Sequence, residues 1–316
     1  MNSLAGNPAL IQWPLVSVLI PAFNHADFVA ICLDSVIDDP YPQKEIVIID
    51  DGSVDGTGEA IAQWIAAYSG DVSVNFLRRE NRGVAATLNE LARRAQGQFL
   101  RVLASDDYLI PGGLAVQVAA LIENPSRSAV IGDACVVDRD GVLLYASAMV
   151  DLHGTQKRPY LSDVGIRRAV ISRWAISGAV TMLKASDFDA CFAWDESLRI
   201  EDWDFFLKLV SRDALIFVDM TVCAYRLHGG NASKTRNVQR RLANLSESRR
   251  VALRHCRLFD DPERMLLHAQ ADCIAAKIAF LQRRPLQVGY WISLYMFRRC
   301  LAAARSGLGR GGAVDE

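Results

Sequence analysis

Short apolar runs alternate with amphipathic stretches along the first hundred residues. Val16-Ser-Val-Leu-Ile20 is apolar, largely β-branched and stopped by Pro21, which predicts a buried strand. Asp27 to Ile37 places Phe28, Ile31, Cys32 and Val36 at helical spacing and predicts a helix. The pattern then repeats. Strands are expected at Glu45–Ile49, Val72–Leu77 and Phe99–Leu103, and helices at Glu59–Tyr68 and Gly83–Ala95. Ala129 to Leu144 reads as two strands around the Asp138-Arg-Asp-Gly141 turn. Residues 151–172 are polar and poorly periodic, a loop with some helix. Arg199–Val210 reads as a helix and Leu215–Tyr225 as a strand. Beyond Asn231 the pattern is helical to about Ser306, broken near Asp260-Asp-Pro262 and at Pro285.

Strand–helix alternation with short connections predicts an α/β fold: a mostly parallel central sheet flanked by helices, followed by a C-terminal helical extension. Ligands of such sheets bind outside the carboxyl ends of the strands. The polar clusters fall there: Asn24 after the first strand, Asp50-Asp51 after the second, Asn81-Arg-Gly83 after the third, and Asp106-Asp107 after the fourth.

Composition changes this picture little. Of 316 residues, 51% are hydrophobic and 22% charged, as in ordinary globular proteins. The seven cysteines form no CxxC pair, which suits buried thiols in a reducing compartment. Residues 1–14 lack a basic start followed by an apolar stretch, and no run nears the ~20 apolar residues of a spanning helix. A cytoplasmic protein, or one peripheral on the inner face of the membrane, is expected. Charge is more informative. Residues 231–316 hold 16 Lys and Arg against 7 Asp and Glu, while the rest holds 19 against 29, so an acidic body carries a basic tail.

The clusters suggest chemistry, each beside a plainer role. Adjacent carboxylates at a strand end, Asp106-Asp107, suit a hard divalent cation that bridges substrate phosphates; they also suit a turn capping the helix after Pro111. Asp50-Asp51-Gly52 is either a turn or a pair of acceptors for a ribose or a base edge. Glu201-Asp202 at a helix start either complements the helix dipole or supplies a general base. Arg226-Leu-His228-Gly-Gly-Asn231 is a glycine loop whose imidazole either ligates a metal near a phosphate or is structural.

Taken together these segments resemble a known family. Val16-Ser-Val-Leu-Ile-Pro-Ala-Phe-Asn24, Cys32-Leu-Asp-Ser-Val36 and Glu45-Ile-Val-Ile-Ile-Asp-Asp-Gly-Ser-Val-Asp-Gly-Thr57 look like the opening of family 2 glycosyltransferases with the GT-A fold. Asn81-Arg-Gly-Val-Ala-Ala-Thr-Leu-Asn89, Ser105-Asp-Asp-Tyr-Leu-Ile-Pro111, Glu201-Asp-Trp-Asp204 and Tyr225-Arg-Leu-His-Gly-Gly-Asn-Ala-Ser233 continue it in order. The resemblance covers roughly residues 15–233, leaving 1–14 as an N-terminal extension and 234–316 as a basic helical C-terminal region. It implies an inverting transfer from a nucleoside-diphosphate sugar, expected to be a UDP-sugar. The donor site would comprise Pro21, Phe23, Asn24, Asp50, Asp51, Asn81, Gly83 and Asp106, with Asp106 facing ribose or sugar. Asp107 and His228 would hold the divalent cation, Mn2+ or Mg2+, and Asp202 would be the catalytic base. Two departures stand out: Phe23 where a Tyr is common, and Ala104 where many members carry a further Asp.

The acceptor is expected to be a saccharide or lipid-linked saccharide of cell-surface polysaccharide or glycolipid synthesis, met by residues 150–200; Ser177-Gly178 and Trp174 are candidates to line that site, with packing the plainer role for the Trp. The segment 283–305 is rich in aromatics and flanked by Arg pairs. It suits a helix in a membrane interface, or one packed on the catalytic domain with its Arg side chains solvated. Its charge comes with no nucleic-acid-binding motif, so nucleic acid is not an expected partner. Two other readings compete. A nucleotidyltransferase would need a glycine- and Arg/Lys-rich loop where Pro21-Ala-Phe-Asn24 stands. A non-catalytic sugar-nucleotide-binding or scaffold protein is supported by Ala104 alone.

Overall fold

The computed structural model describes residues 13–172, 175, 178–188, 192–229 and 237–308. Trp174, Ser177, Asn231 and residues 1–12 of the expected extension lie outside them.

Strands β1 (Val16–Ala22), β2 (Lys44–Asp51), β3 (Ser73–Arg79) and β4 (Phe99–Val102) alternate with helices α1 (Val29–Asp38), α2 (Thr57–Ala67) and α3 (Val84–Arg94). Ile46, Val47, Ile48 and Ile49 are all fully buried, because both faces of this part of the sheet are covered; that is why the strand reads as a continuous apolar run. After β4 come β5 (Tyr108–Leu109), α4 (Gly113–Glu123), β6 (Ala129–Val137) and β7 (Leu143–Tyr145). The expected loop after residue 150 is short helical turns followed by α5 (Asp163–Ser172). Then follow β8 (Thr181–Lys184), α6 (Glu201–Val210) and β9 (Leu215–Arg226).

Among the described residues these strands form one sheet in the order β3-β2-β1-β4-β8-β6-β9-β5, with β7 on the side of β6. The first four run parallel, as do β6 and β9. The short strand β8 enters between the two blocks antiparallel to both β4 and β6. β5 returns antiparallel onto β9, setting residues 106 and 107 against the end of that strand. The sheet is therefore mixed, with its parallel part on the side that carries Asn24, Asp50 and Asp51.

The C-terminal region is three helices, α7 (Val238–His255), α8 (Glu263–Leu281) and α9 (Pro285–Leu308). α8 packs on α5 and α7, α7 on α6, and α9 on α8. Polar ties fix this packing. Asp204, fully buried on α6, faces His255 Nε2 at 2.7 Å and Lys208 Nζ at 2.8 Å, and it also meets Arg254. Burial alone would raise its carboxyl. The hydrogen bonds from His255 and Lys208 outweigh burial and hold it far below the usual carboxylate range. No helix among the described residues is long and apolar enough to cross a membrane.

Candidate active site

The loops after β1, β2, β3 and β4 meet at one rim and are tied to one another by side-chain–backbone hydrogen bonds. Asn24 takes a left-handed conformation (φ 56°), which Asn tolerates better than most residues. Its side-chain Oδ1 accepts the N–H of Val54 at 2.9 Å, and its own N–H donates to Ser53 Oγ at 2.9 Å. Asp50 is fully buried: Oδ1 accepts the N–H of Ser53 at 3.0 Å, and Oδ2 lies 3.3 Å from Arg78 Nε. Asp51 accepts the N–H groups of Arg82 (3.0 Å) and Gly83 (2.8 Å), while Asn81 Nδ2 donates to its backbone carbonyl at 2.8 Å. Asp51 thus holds the β3–α3 loop in place.

Two glycines make this possible. Gly52 has φ +78°, and a Cβ there would sit 2.7 Å from the Asn81 nitrogen. Gly83, with φ +90°, begins α3 in a conformation that L side chains rarely adopt. Phe23 is 45% exposed on the rim.

The adjacent carboxylates after β4 point to different partners. Asp107 is buried and its Oδ1 accepts the backbone N–H of Arg226 at 2.9 Å. Burial and the neighbouring Asp106 charge push its carboxyl well above the usual range. Asp106 Oδ2 lies 2.9 Å from His228 Nε2 and 3.7 Å from His25 Nε2. Burial alone would raise Asp106 too, but the His228 hydrogen bond and the charges of His25 and His228 together hold its carboxyl below the usual range. Burial holds His25 below its ordinary pKa, so its imidazole is neutral near pH 7.

The sequence reading put the metal on Asp107 and His228 and the sugar on Asp106. The structure brings His228 together with Asp106, and turns Asp107 inward toward the backbone of β9. A test of fit follows from the donor atoms. One ligand atom each from His25, Asp106 and His228 all lie within 4.8 Å of one another, a set a divalent ion can bridge. Asp107 Oδ1 accepts the Arg226 N–H and lies outside that set.

Across the sheet end, a cavity is lined by Pro21, Ala104, Val84, Leu88, Trp194 and Asp202, among others. It lies next to the Asp106 side, since Ala104 is two residues earlier on the same loop. Asp202 begins α6, and Gly178 allows it close approach: a Cβ there would be 3.1 Å from Asp202 Oδ1, and the Gly178 N–H donates to the carboxylate. Its neighbour Glu201 also lines the cavity. Burial raises both carboxyls, Glu201 well above the usual range, with the Asp202 charge adding to it. A hydrogen bond between the two carboxyls favours the ionised form of Asp202.

Sequence reasoning missed His25 and the role of Arg226. His25 follows the quoted Phe23-Asn24 directly, at a strand end, and that position was its only signal. Arg226 is fully buried in side chain and ties the site together: its guanidinium donates to the carbonyls of Asp106 (2.9 Å) and Arg139 (2.7 Å).

Comparison with known proteins agrees with this architecture. Residues 17–159 match the family model described as glycosyl transferase family 2. An uncharacterized glycosyltransferase of Rickettsia bellii is 25% identical over 296 residues, which cover 93% of this chain and 41% of that protein. Chondroitin synthase of Escherichia coli is 26% identical over 222 residues, 70% of this chain and 30% of that protein. The chain therefore spans less than half the length of either relative. Among solved structures, mannosyltransferase PcManGT from Pyrobaculum calidifontis, in complex with GDP-Man and Mn2+, has a TM-score of 0.62 at 20% identity, covering 97% of this chain and 82% of that chain. That likeness is one of fold, the GT-A fold.

Proposed function

We propose, from the match of residues 17–159 to the glycosyl transferase family 2 model, that the chain is an inverting glycosyltransferase. It moves a sugar from a nucleoside-diphosphate sugar, a UDP-sugar, to a hydroxyl of a saccharide or lipid-linked saccharide. Residues 15–233 form the catalytic unit in this reading, and 234–316 a basic helical region packed on it. The setting would be cell-surface polysaccharide or glycolipid synthesis, which the similarity to chondroitin synthase supports.

One observation carries the proposal. Asp202, with its raised carboxyl, and Ala104, two residues before Asp106, line one cavity at the carboxyl ends of the strands. A nucleotide held by Phe23, Asn24, Asp50, Asp51, Asn81 and Gly83 would present its sugar there. Asp106 and His228 would hold a divalent cation, whose chemistry is to neutralise charge on the departing diphosphate. Asp202 takes the proton of the acceptor hydroxyl as that oxygen forms its bond to the anomeric carbon. The bond to the diphosphate oxygen breaks and its electron pair leaves with the nucleotide. One displacement inverts the anomeric centre.

The test is turnover of a panel of UDP- and GDP-sugars with Mn2+ or Mg2+ present, read as nucleoside diphosphate released with and without saccharide acceptors. Metal-dependent release from at least one donor is expected. Donor binding without release from any of them would instead favour the non-catalytic sugar-nucleotide-binding reading.

The exposed face of α9 supports a membrane-surface contact through residues 283–305. Leu286, Tyr290, Ile292, Met296 and Phe297 are all exposed on it, and Arg283 and Arg284 stand exposed at its start. The contact fits a peripheral enzyme at the inner face of the membrane, where a lipid-linked acceptor would lie.

A further inference from the structure

We propose that His25 is a third protein ligand of the cation, making a two-histidine, one-carboxylate site that takes Mn2+ in preference to Mg2+. The inference rests on the reading above that Asp106 and His228 face the metal.

His25 is held as metal-binding histidines are. Its backbone N–H donates to Thr57 Oγ1 at 2.8 Å, fixing the main chain at the exit of β1. Its ring Nδ1 lies 2.8 Å from Ser105 Oγ, fixing the ring plane. In the tautomer whose Nδ1–H donates to that hydroxyl, Nε2 carries the lone pair, the arrangement in which a second hydrogen bond orients a ligating imidazole. That nitrogen, Nε2, faces Asp106 Oδ2 at 3.7 Å. The separation is too long for a hydrogen bond. It is the spacing of two atoms bound to one ion, since ligands each ~2.1 Å from a common centre lie roughly 3–4 Å apart. His228 Nε2 is 2.9 Å from the same oxygen, on a ring lying at 85° to that of His25. Two imidazoles from separate loops thus converge on one carboxylate oxygen.

Among the described residues no protein group hydrogen-bonds His25 Nε2, which leaves it open to a ligand. The donor set also decides the ion. Mg2+ demands oxygen ligands in near-ideal octahedral geometry and keeps its waters, whereas imidazole suits first-row transition ions. Two nitrogens and one oxygen leave about three positions of an octahedron for diphosphate oxygens and water. Co2+ and Zn2+ should compete with Mn2+ at this site more strongly than Mg2+ does.

The experiment counts nitrogens directly. Mn2+ is bound to the full chain in the presence of UDP or GDP, and electron spin echo envelope modulation reads the number of coupled imidazoles. Two are expected in the wild type. His25→Asn is the clean variant, because its amide nitrogen replaces Nδ1 toward Ser105 while nothing replaces Nε2. One imidazole should remain, with Mn2+ affinity lower by tenfold or more and Mg2+ affinity within about threefold, by direct titration. His25→Ala gives a second measurement, and circular dichroism with thermal unfolding verifies that each variant is folded. A wild-type count of one that persists in His25→Asn and disappears in His228→Asn overturns the inference and leaves the Asp106–His228 reading standing. No Mn2+ bound by the wild type with nucleotide present overturns both.

Discussion

The Glu247 carboxylate on α7 accepts the backbone N–H of Ile200 at 2.9 Å, two residues before Asp202. The same oxygen accepts the N–H of Arg199 at 2.8 Å. A residue of the C-terminal region therefore satisfies the free donors at the start of the helix that carries the proposed base. Glu247→Ala should lower the transfer rate by tenfold or more with donor KM little changed, because the carboxylate acts on the chain just before the proposed base. The lost charge-assisted hydrogen bonds should also cost about 1.5–3 kcal/mol of stability. Steady-state kinetics beside thermal unfolding separates the two effects.

Asp202 gives a pH prediction. Burial raises its carboxyl above the ordinary carboxylate range, and the proposed base works only when ionised. Activity should therefore fall as pH drops through that raised pKa, at a higher pH than a free aspartate (about 3.9) would allow. The hydrogen bond from Glu201 favours the ionised form of Asp202, so Glu201→Ala should move the acid limb of the kcat profile to higher pH. Asp202→Asn should cut kcat by roughly 10²–10⁴-fold with nucleotide binding retained. Transfer undiminished in Asp202→Asn would remove it from the mechanism.

The neighbouring carboxylates should behave unlike each other. Asp106→Asn should abolish measurable Mn2+ binding in a calorimetric titration. Asp107→Asn keeps an oxygen for the Arg226 N–H and should leave Mn2+ affinity within about threefold. The reverse pattern would return the metal to Asp107.

The apolar face of α9 predicts co-sedimentation with anionic vesicles, weakened by salt. The triple variant Leu286→Asp, Tyr290→Asp, Phe297→Asp should lower the bound fraction tenfold or more while leaving donor turnover in solution unchanged. Equal sedimentation of both proteins would exclude a membrane role for this face.

Much of this architecture was legible in the chain, for physical reasons. β1, β2 and β4 showed as apolar runs because helices cover both their faces. The rim clusters at Asn24, Asp50 and Asp106 showed because polar residues that interrupt such runs mark strand ends. β8 did not show: four residues, Thr181–Lys184, carry too short a pattern to separate from their surroundings. Nor did the antiparallel turn of the sheet, which depends on β4 and β6 both meeting that strand. In the site, periodicity cannot tell which of two adjacent carboxylates faces inward. That was decided by Arg226, 119 residues downstream of Asp107. His25 was silent because its partners, Ser105 and His228, are distant in sequence. Trp203 follows Asp202, but its Nε1 donates to the Val170 carbonyl at 2.8 Å, a packing role.

The position of β8 has a consequence for how the chain is made. The four parallel strands need only residues 16–102, so the nucleotide side of the molecule can assemble while synthesis continues. The outer edge of β4 then waits for residues 181–184, about eighty positions later, before it is paired. Asp202 and His228 emerge later still, and the helix that fixes Asp202 last of all. A nascent or truncated chain would thus carry a formed parallel half with a bare strand edge and without Asp202, a species prone to associate through β4.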